Sequence, residues 1–237
     1  MKNFKQEQPP INIGADISVK SFEMIEEELK LYPKAKDFDK NELAIISRLI
    51  HTTTCFEEVL NNIYFSKNSI GHIKSLLEQK AKIIVDVNMI KVGLSKFYLD
   101  KYENEVICYI NEPFTYEMAE KNKTTRSYAA VVEAIKKHKD KPIVLACGNA
   151  PTFIYAAINT LLDEGVDLSK VALLLFPVGF VNVVESKEYG RKFSEHFGVS
   201  SIIMEGRFGS STMSVATLHA IYKLIHDYDG NEKYNGK

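Results

Sequence analysis

From Lys82 onward, short β-branched runs alternate with longer stretches of helical periodicity, and this alternation limits the fold more than any other feature of the chain. The runs are Lys82–Val87, Glu105–Ile110, Pro142–Cys147, Val171–Phe176 and Ser201–Met204. Helical stretches cover Thr125–Lys137, Pro151–Glu164, Glu185–Phe197 and Thr212–Asp227. Several runs are nearly all apolar, as strands covered on both faces must be. The pattern predicts an α/β fold: a mostly parallel five-stranded sheet with helices on both faces.

Roughly the first 75 residues read as helical instead. One helix is expected to start at Ser21, with Phe22, Ile25 and Leu29 recurring at helical spacing. A second starts at Asp39, a good N-cap, with Glu42 placed to complete a capping box. Its apolar face is Leu43, Ile46, Leu49 and Ile50, and it delivers His51 near its C-terminal end, where Thr52, Thr53 and Thr54 weaken helix propensity.

At 237 residues the chain suits a single core, with no repeat or low-complexity linker to divide it. It reads as one domain over 1–237, polar from about residue 228. A formal net charge of -1 provides no field for nucleic acid or anionic membrane, so any anion site must be local. No apolar run is long enough to span a bilayer, and Met1–Pro10 lacks the apolar centre of a signal peptide. Cys55, Cys108 and Cys147 are widely spaced and odd in number, which points to reduced thiols in a cytoplasmic protein.

In a parallel sheet, ligands bind beyond the carboxyl ends of the strands. Three segments there attract attention: Gly148-Asn149-Ala150-Pro151-Thr152, Pro177-Val178-Gly179-Phe180-Val181 before Glu185-Ser186-Lys187-Glu188, and Gly206-Arg207-Phe208-Gly209-Ser210-Ser211. Glycines permit sharp turns, helix starts offer free amides, and Arg207 and Arg126 can each grip a carboxylate. The same turns also serve as plain strand-to-helix connections. No phosphate-loop or dinucleotide fingerprint occurs.

Histidine exchanges protons near neutral pH, which makes His51 a candidate acid. A His at a helix end is also a common surface residue. His51 and Cys55 share a helical spacing but lack the further ligands a metal site needs. Cys147 is a conceivable nucleophile, though its apolar setting suits a buried, inert thiol better.

Taken in order, these segments have a likeness. Ser21-Phe22, Ile50-His51, Thr125-Arg126-Ser127, the Gly148–Thr152 and Pro177–Val181 blocks, Glu185-Ser186-Lys187-Glu188 and Gly206-Arg207 together resemble the precorrin-8X methylmutase family, including its cobalt-precorrin-8 branch, over nearly the whole chain. Two departures are visible: Ser210 stands where the family usually has a second glycine, and Leu31–Asp39 looks like a surface insertion.

The resemblance implies a flavodoxin-like three-layer fold, a homodimer, and an isomerase without cofactor or metal that moves a methyl group from C-11 to C-12 of a corrin precursor, forming hydrogenobyrinate or its cobalt counterpart. It implies His51 as the catalytic acid. Ser21, Thr125, Arg126, Ser127, Gly148, Asn149, Pro177, Gly179, Phe180, Lys187, Gly206 and Arg207 are then expected at the substrate. The shift is intramolecular, so it requires no methyl donor or nucleotide. A non-catalytic tetrapyrrole carrier using the same loops is the competing reading, and a Cys147 hydrolase a third.

Overall fold

Val171–Leu175 and Ile143–Cys147 bury every residue, so these runs take the middle of a sheet covered on both sides. The structure, a computed structural model, describes residues 14–228. The Met1–Pro10 segment and the polar tail beyond Tyr228 lie outside the described residues.

The strands are β1 (Ile63–Phe65), β2 (Lys82–Val85), β3 (Glu105–Ile107), β4 (Ile143–Cys147), β5 (Val171–Leu175) and β6 (Ser200–Met204). The helices are α1 (Gly14–Leu29), α2 (Lys40–Thr53), α3 (Phe56–Asn62), α4 (Ser69–Glu78), α5 (Asn88–Gly93) and α6 (Lys96–Lys101). They continue as α7 (Pro113–Lys121), α8 (Arg126–His138), α9 (Pro151–Asp163), α10 (Val183–Phe197) and α11 (Ser211–Tyr228).

The sheet order is β1-β6-β5-β4-β2-β3, with all neighbours from β6 to β3 parallel. The five parallel strands therefore follow the flavodoxin-like order, whose direction reverses between β2 and β4. The expected five-stranded sheet is corrected to six. Ile63–Phe65 adds an antiparallel edge strand, pairing Ile63 with Met204 and Phe65 with Ile202.

One core layer lies under α1, α2, α4, α5 and α11, and a second under α8, α9 and α10, which gives three layers. Asp39 caps α2 as expected: its side chain accepts from the Asn41 and Glu42 amides, and Glu42 accepts from the Asp39 amide. The first helix starts before Ser21, which lies within α1. The Leu31–Asp39 insertion is less superficial than expected. Ala35 is buried, Tyr32 stacks on Phe56 at 5.3 Å, and Phe38 meets Phe65 at 6.1 Å.

Candidate active site

At the strand-order reversal, Asp86 follows β2 and is almost fully buried. Its carboxylate accepts the amides of Gly148 at 3.0 Å, Asn149 at 2.7 Å and Ala150 at 2.8 Å. Burial outweighs these bonds and pushes the carboxyl above its usual range. The amides at the start of α9, which seemed free for an anion, are thus engaged inside the protein. Gly148 is needed for a different reason. A Cβ there would lie 2.4 Å from the Ser211 Cα, so its bareness lets α11 begin against the β4 turn.

The β5 and β6 turns pack on the same edge. The Phe176 amide donates to the Cys147 carbonyl at 2.8 Å, and Gly179 to the Arg207 carbonyl at 3.4 Å. A Cβ on Gly209 would come within 2.3 Å of the Phe176 carbonyl. Lys187, expected at the substrate, is buried beneath this loop and donates to the carbonyls of Gly206 at 2.9 Å and Phe208 at 2.8 Å. Burial lowers its ammonium to about 8. Gly206 takes a left-handed backbone with φ of 69°, and Pro177 is buried behind the loop. Arg207 reaches outward and lies 5.3 Å from the exposed Phe180 ring. Ser210 caps α11, its hydroxyl accepting from the Met213 amide at 3.2 Å, which a glycine cannot do.

α8 and α9 start side by side. Thr125 caps α8 by accepting from the Tyr128 amide, and its hydroxyl meets that of Thr152 at 2.8 Å. Arg126 donates to the Tyr116 hydroxyl at 2.7 Å and stacks over that ring at 4.9 Å, while Ser127 turns inward and is buried.

His51 stands at the C-terminal end of α2, exposed on one side and stacked on Phe22 of α1 at 4.8 Å with the planes 12° apart. Ser21, the neighbour of Phe22, donates to the Ile17 carbonyl. His51 borders a cleft of about 400 Å³ between α2, α5 and α11, shared with Arg48, Met89, Val92, Thr212 and His219. Thr212 follows Ser211, which touches Gly148, so the cleft opens beside the carboxyl edge.

Of the residues expected at a site, the cleft itself holds His51 alone. Arg126, Arg207, Gly179 and Phe180 line the edge outside it, with Gly148 and Lys187 behind them. Sequence reasoning missed Arg48, although it precedes His51 by one helical turn and so shares its face. Asp86 was also missed, because a single carboxylate at the end of an apolar run gives no local sign of the three distant amides that close on it. Cys147 is fully buried with its thiol pushed well above the usual range, which removes it as a nucleophile. Among the described residues, no three His, Cys, Asp or Glu side chains gather as metal ligands would, and no helix is long and apolar enough to cross a membrane.

Residues 16–224 match the family model described as precorrin-8X methylmutase. The chain is 34% identical to a cobalt-precorrin-8 methylmutase of Priestia megaterium, across 98% of this chain and 99% of that protein. It is 35% identical to the protein of the same name in Methanocaldococcus jannaschii, across 93% and 96% of the two chains. A solved precorrin-8X methylmutase from Thermus thermophilus superposes with a TM-score of 0.75 at 30% identity, covering 90% of this chain and 98% of that one.

Proposed function

The chain belongs to the precorrin-8X methylmutase family, and from that premise we propose that His51 is the acid that starts its methyl shift. The protein is an isomerase of cobalamin biosynthesis, acting on precorrin-8X or its cobalt form. The reaction moves one methyl group from C-11 to C-12 of the macrocycle. No group leaves the molecule, so the enzyme's work is to orient the substrate and polarise it.

A proton delivered to a ring nitrogen draws electron density from the conjugated system and weakens the bond to the migrating methyl. An imidazolium suits this, because it gives and regains a proton near neutral pH. The observation that carries the reading is the position of His51: backed by Phe22 and facing a cleft whose other walls include the exposed Met89 and Val92. Such apolar walls suit the rim of a flat macrocycle, while the peripheral carboxylates extend to the edge loops. There Arg126 and Arg207 offer cations, Thr125 and Asn149 polar contacts, and Phe180 an apolar face. Ser21 contributes from α1. Ser127, Gly148, Pro177, Gly179, Lys187 and Gly206 shape these loops from behind. Fixing one nitrogen opposite the imidazole supplies the orientation on which the rate depends.

No protein cofactor or metal enters this scheme. The enzyme acts as one domain in the cytoplasm and as a homodimer, with exposed Ile17, Val19 and Met24 of α1 supplying apolar surface for a second copy. Its near-neutral charge suits neither nucleic acid nor membrane partners.

The test is conversion of precorrin-8X, or of its cobalt form, followed through the change in visible absorption as the corrin product forms. Binding of the pigment without conversion would make the protein a carrier and end the proposal.

A further inference from the structure

A second imidazole borders the cleft. His219 of α11 is partly buried, and its Nε2 accepts the Ser95 amide proton at 2.9 Å. A ring nitrogen that accepts an amide proton carries none itself, so the single proton of this ring sits on Nδ1. The Ser95 amide therefore fixes both the tautomer and the neutral state. Burial and the nearby Arg48 charge act in the same direction, lowering the imidazole below its usual range. Nδ1 donates to no other described residue.

Arg48 borders the same cleft, half-buried, with its guanidinium 5.0 Å from the Phe22 ring. Among the described residues it has no ion-pair partner, and no carboxylate contributes to its electrostatic surroundings. A guanidinium fork and a neutral N–H thus share a cleft where no acidic side chain answers them. The remaining walls are largely apolar: Met89, Val92, Val215 and Ala216. Two donors with no carboxylate beside them, in a cleft whose other polar lining besides His51 is the hydroxyls of Thr52 and Thr212, match a carboxylate carried on an apolar body.

We propose that His219 is a substrate-binding residue: its Nδ1–H and the Arg48 guanidinium together hold one peripheral carboxylate of the macrocycle in the cleft that His51 faces. The inference rests on the functional reading above and adds a specific contact to it. A neutral donor has an advantage here. An acid at His51 gives up and regains a proton in every cycle, whereas the Ser95 amide holds the His219 ring toward its neutral, Nδ1-protonated form. Two imidazoles in one cleft are thereby given separate tasks.

The test compares binding of two ligands, the corrin polyacid product and its peripheral methyl esters, to wild type, His219→Leu, His219→Asn and Arg48→Gln. The ester retains the macrocycle and loses the anionic oxygens. His219→Leu is expected to weaken polyacid binding about tenfold or more, as loss of a charge-assisted bond does, and ester binding less than about twofold. His219→Asn should restore part of the affinity, since its amide nitrogen offers a donor at the Nδ1 position although its oxygen falls short of the Ser95 amide. Arg48→Gln, which leaves the Ser95 contact alone, should show the same selective loss and keeps the test decisive if the Leu variant does not fold. Equal weakening of both ligands, or no weakening of the polyacid, overturns the inference. Wild-type protein that binds neither ligand overturns the functional reading as well.

Discussion

The His51 imidazole lies flat on the Phe22 ring, with centroids 4.8 Å apart and planes at 12°, so a side chain of α1 sets the direction of the imidazole on α2. Arg48 covers the same ring at 5.0 Å, which makes Phe22 the shared support of both side chains. His51→Ala is expected to fold and bind the corrin product, yet convert no precursor above background. Phe22→Ala leaves the imidazole present but unsupported, and kcat should fall about tenfold with KM changed far less, since orientation effects act mainly on the chemical step. Single-turnover kinetics on both variants check this. Normal turnover by His51→Ala removes the imidazole from the mechanism.

Lys187 gives a pH dependence whose sign follows from its burial. Its folded pKa of about 8 lies below the ordinary 10.5. Between these values the unfolded chain holds a proton that the folded chain has released, so stability rises with pH across that window and is flat below it. The full swing is about 3 kcal/mol at most, from the size of the shift. A neutral amine keeps two N–H donors for the Gly206 and Phe208 carbonyls, so the loop stays tied as the proton leaves. Urea unfolding of wild type against Lys187→Met should show a difference that grows with pH through the window. A constant difference contradicts the assignment.

Asp86 holds three backbone amides with two oxygens. Asp86→Ala orphans all three and should cost about 3 kcal/mol or more, because a buried unpaired donor costs about 1–3 kcal/mol. Asp86→Asn should not repair this. Its single oxygen serves one side of the nest and its amide group opposes an N–H on the other. Thermal unfolding compares the two, and an Asn variant as stable as wild type would mean that the native carboxyl carries a proton.

Gly148 and Gly165 separate steric need from conformational need. A Cβ on Gly148 meets the Ser211 Cα at 2.4 Å, while one on Gly165 meets nothing within 4 Å but sits at φ of +60°. Gly148→Ala should lose about 1–3 kcal/mol by overpacking and lower activity by shifting the start of α11. Gly165→Ala should cost about 1 kcal/mol of backbone strain and leave activity intact. Equal activity losses in the two variants would detach the Gly148 contact from function.

Much of the scaffold was legible because its signals are local. Asp39 and Glu42 announce α2, the apolar runs announce the five parallel strands, and both follow from short-range patterning. Ile63–Phe65 escaped because three residues at a sheet edge carry no period, and only pairing with Ile202–Met204 makes them a strand. The packing around Lys187 and Gly148 was hidden for a related reason. Lys187 was expected at the substrate, and nothing local shows that the loop carbonyls of Gly206 and Phe208 fold back over it. The cleft was the least visible part, since Arg48, Met89 and His219 lie far apart in sequence and meet only when α2, α5 and α11 pack.

Arg126 tests how far the site extends from that cleft. Its Nη1 donates to the Tyr116 hydroxyl at 2.7 Å and its guanidinium covers the ring at 4.9 Å, an arrangement that holds the fork still at the start of α8. A fixed fork loses little entropy on meeting a carboxylate, and lysine cannot reproduce its planar geometry. Arg126→Ala should therefore weaken product binding by about 1.5–3 kcal/mol, Arg126→Lys should recover only part of it, and Tyr116→Phe should fall between wild type and Arg126→Ala. Titration of each variant with the corrin product, read by absorbance, orders the series. Unchanged affinity in Arg126→Ala would place this arginine outside the substrate's reach and confine recognition to the cleft and the Arg207 loop.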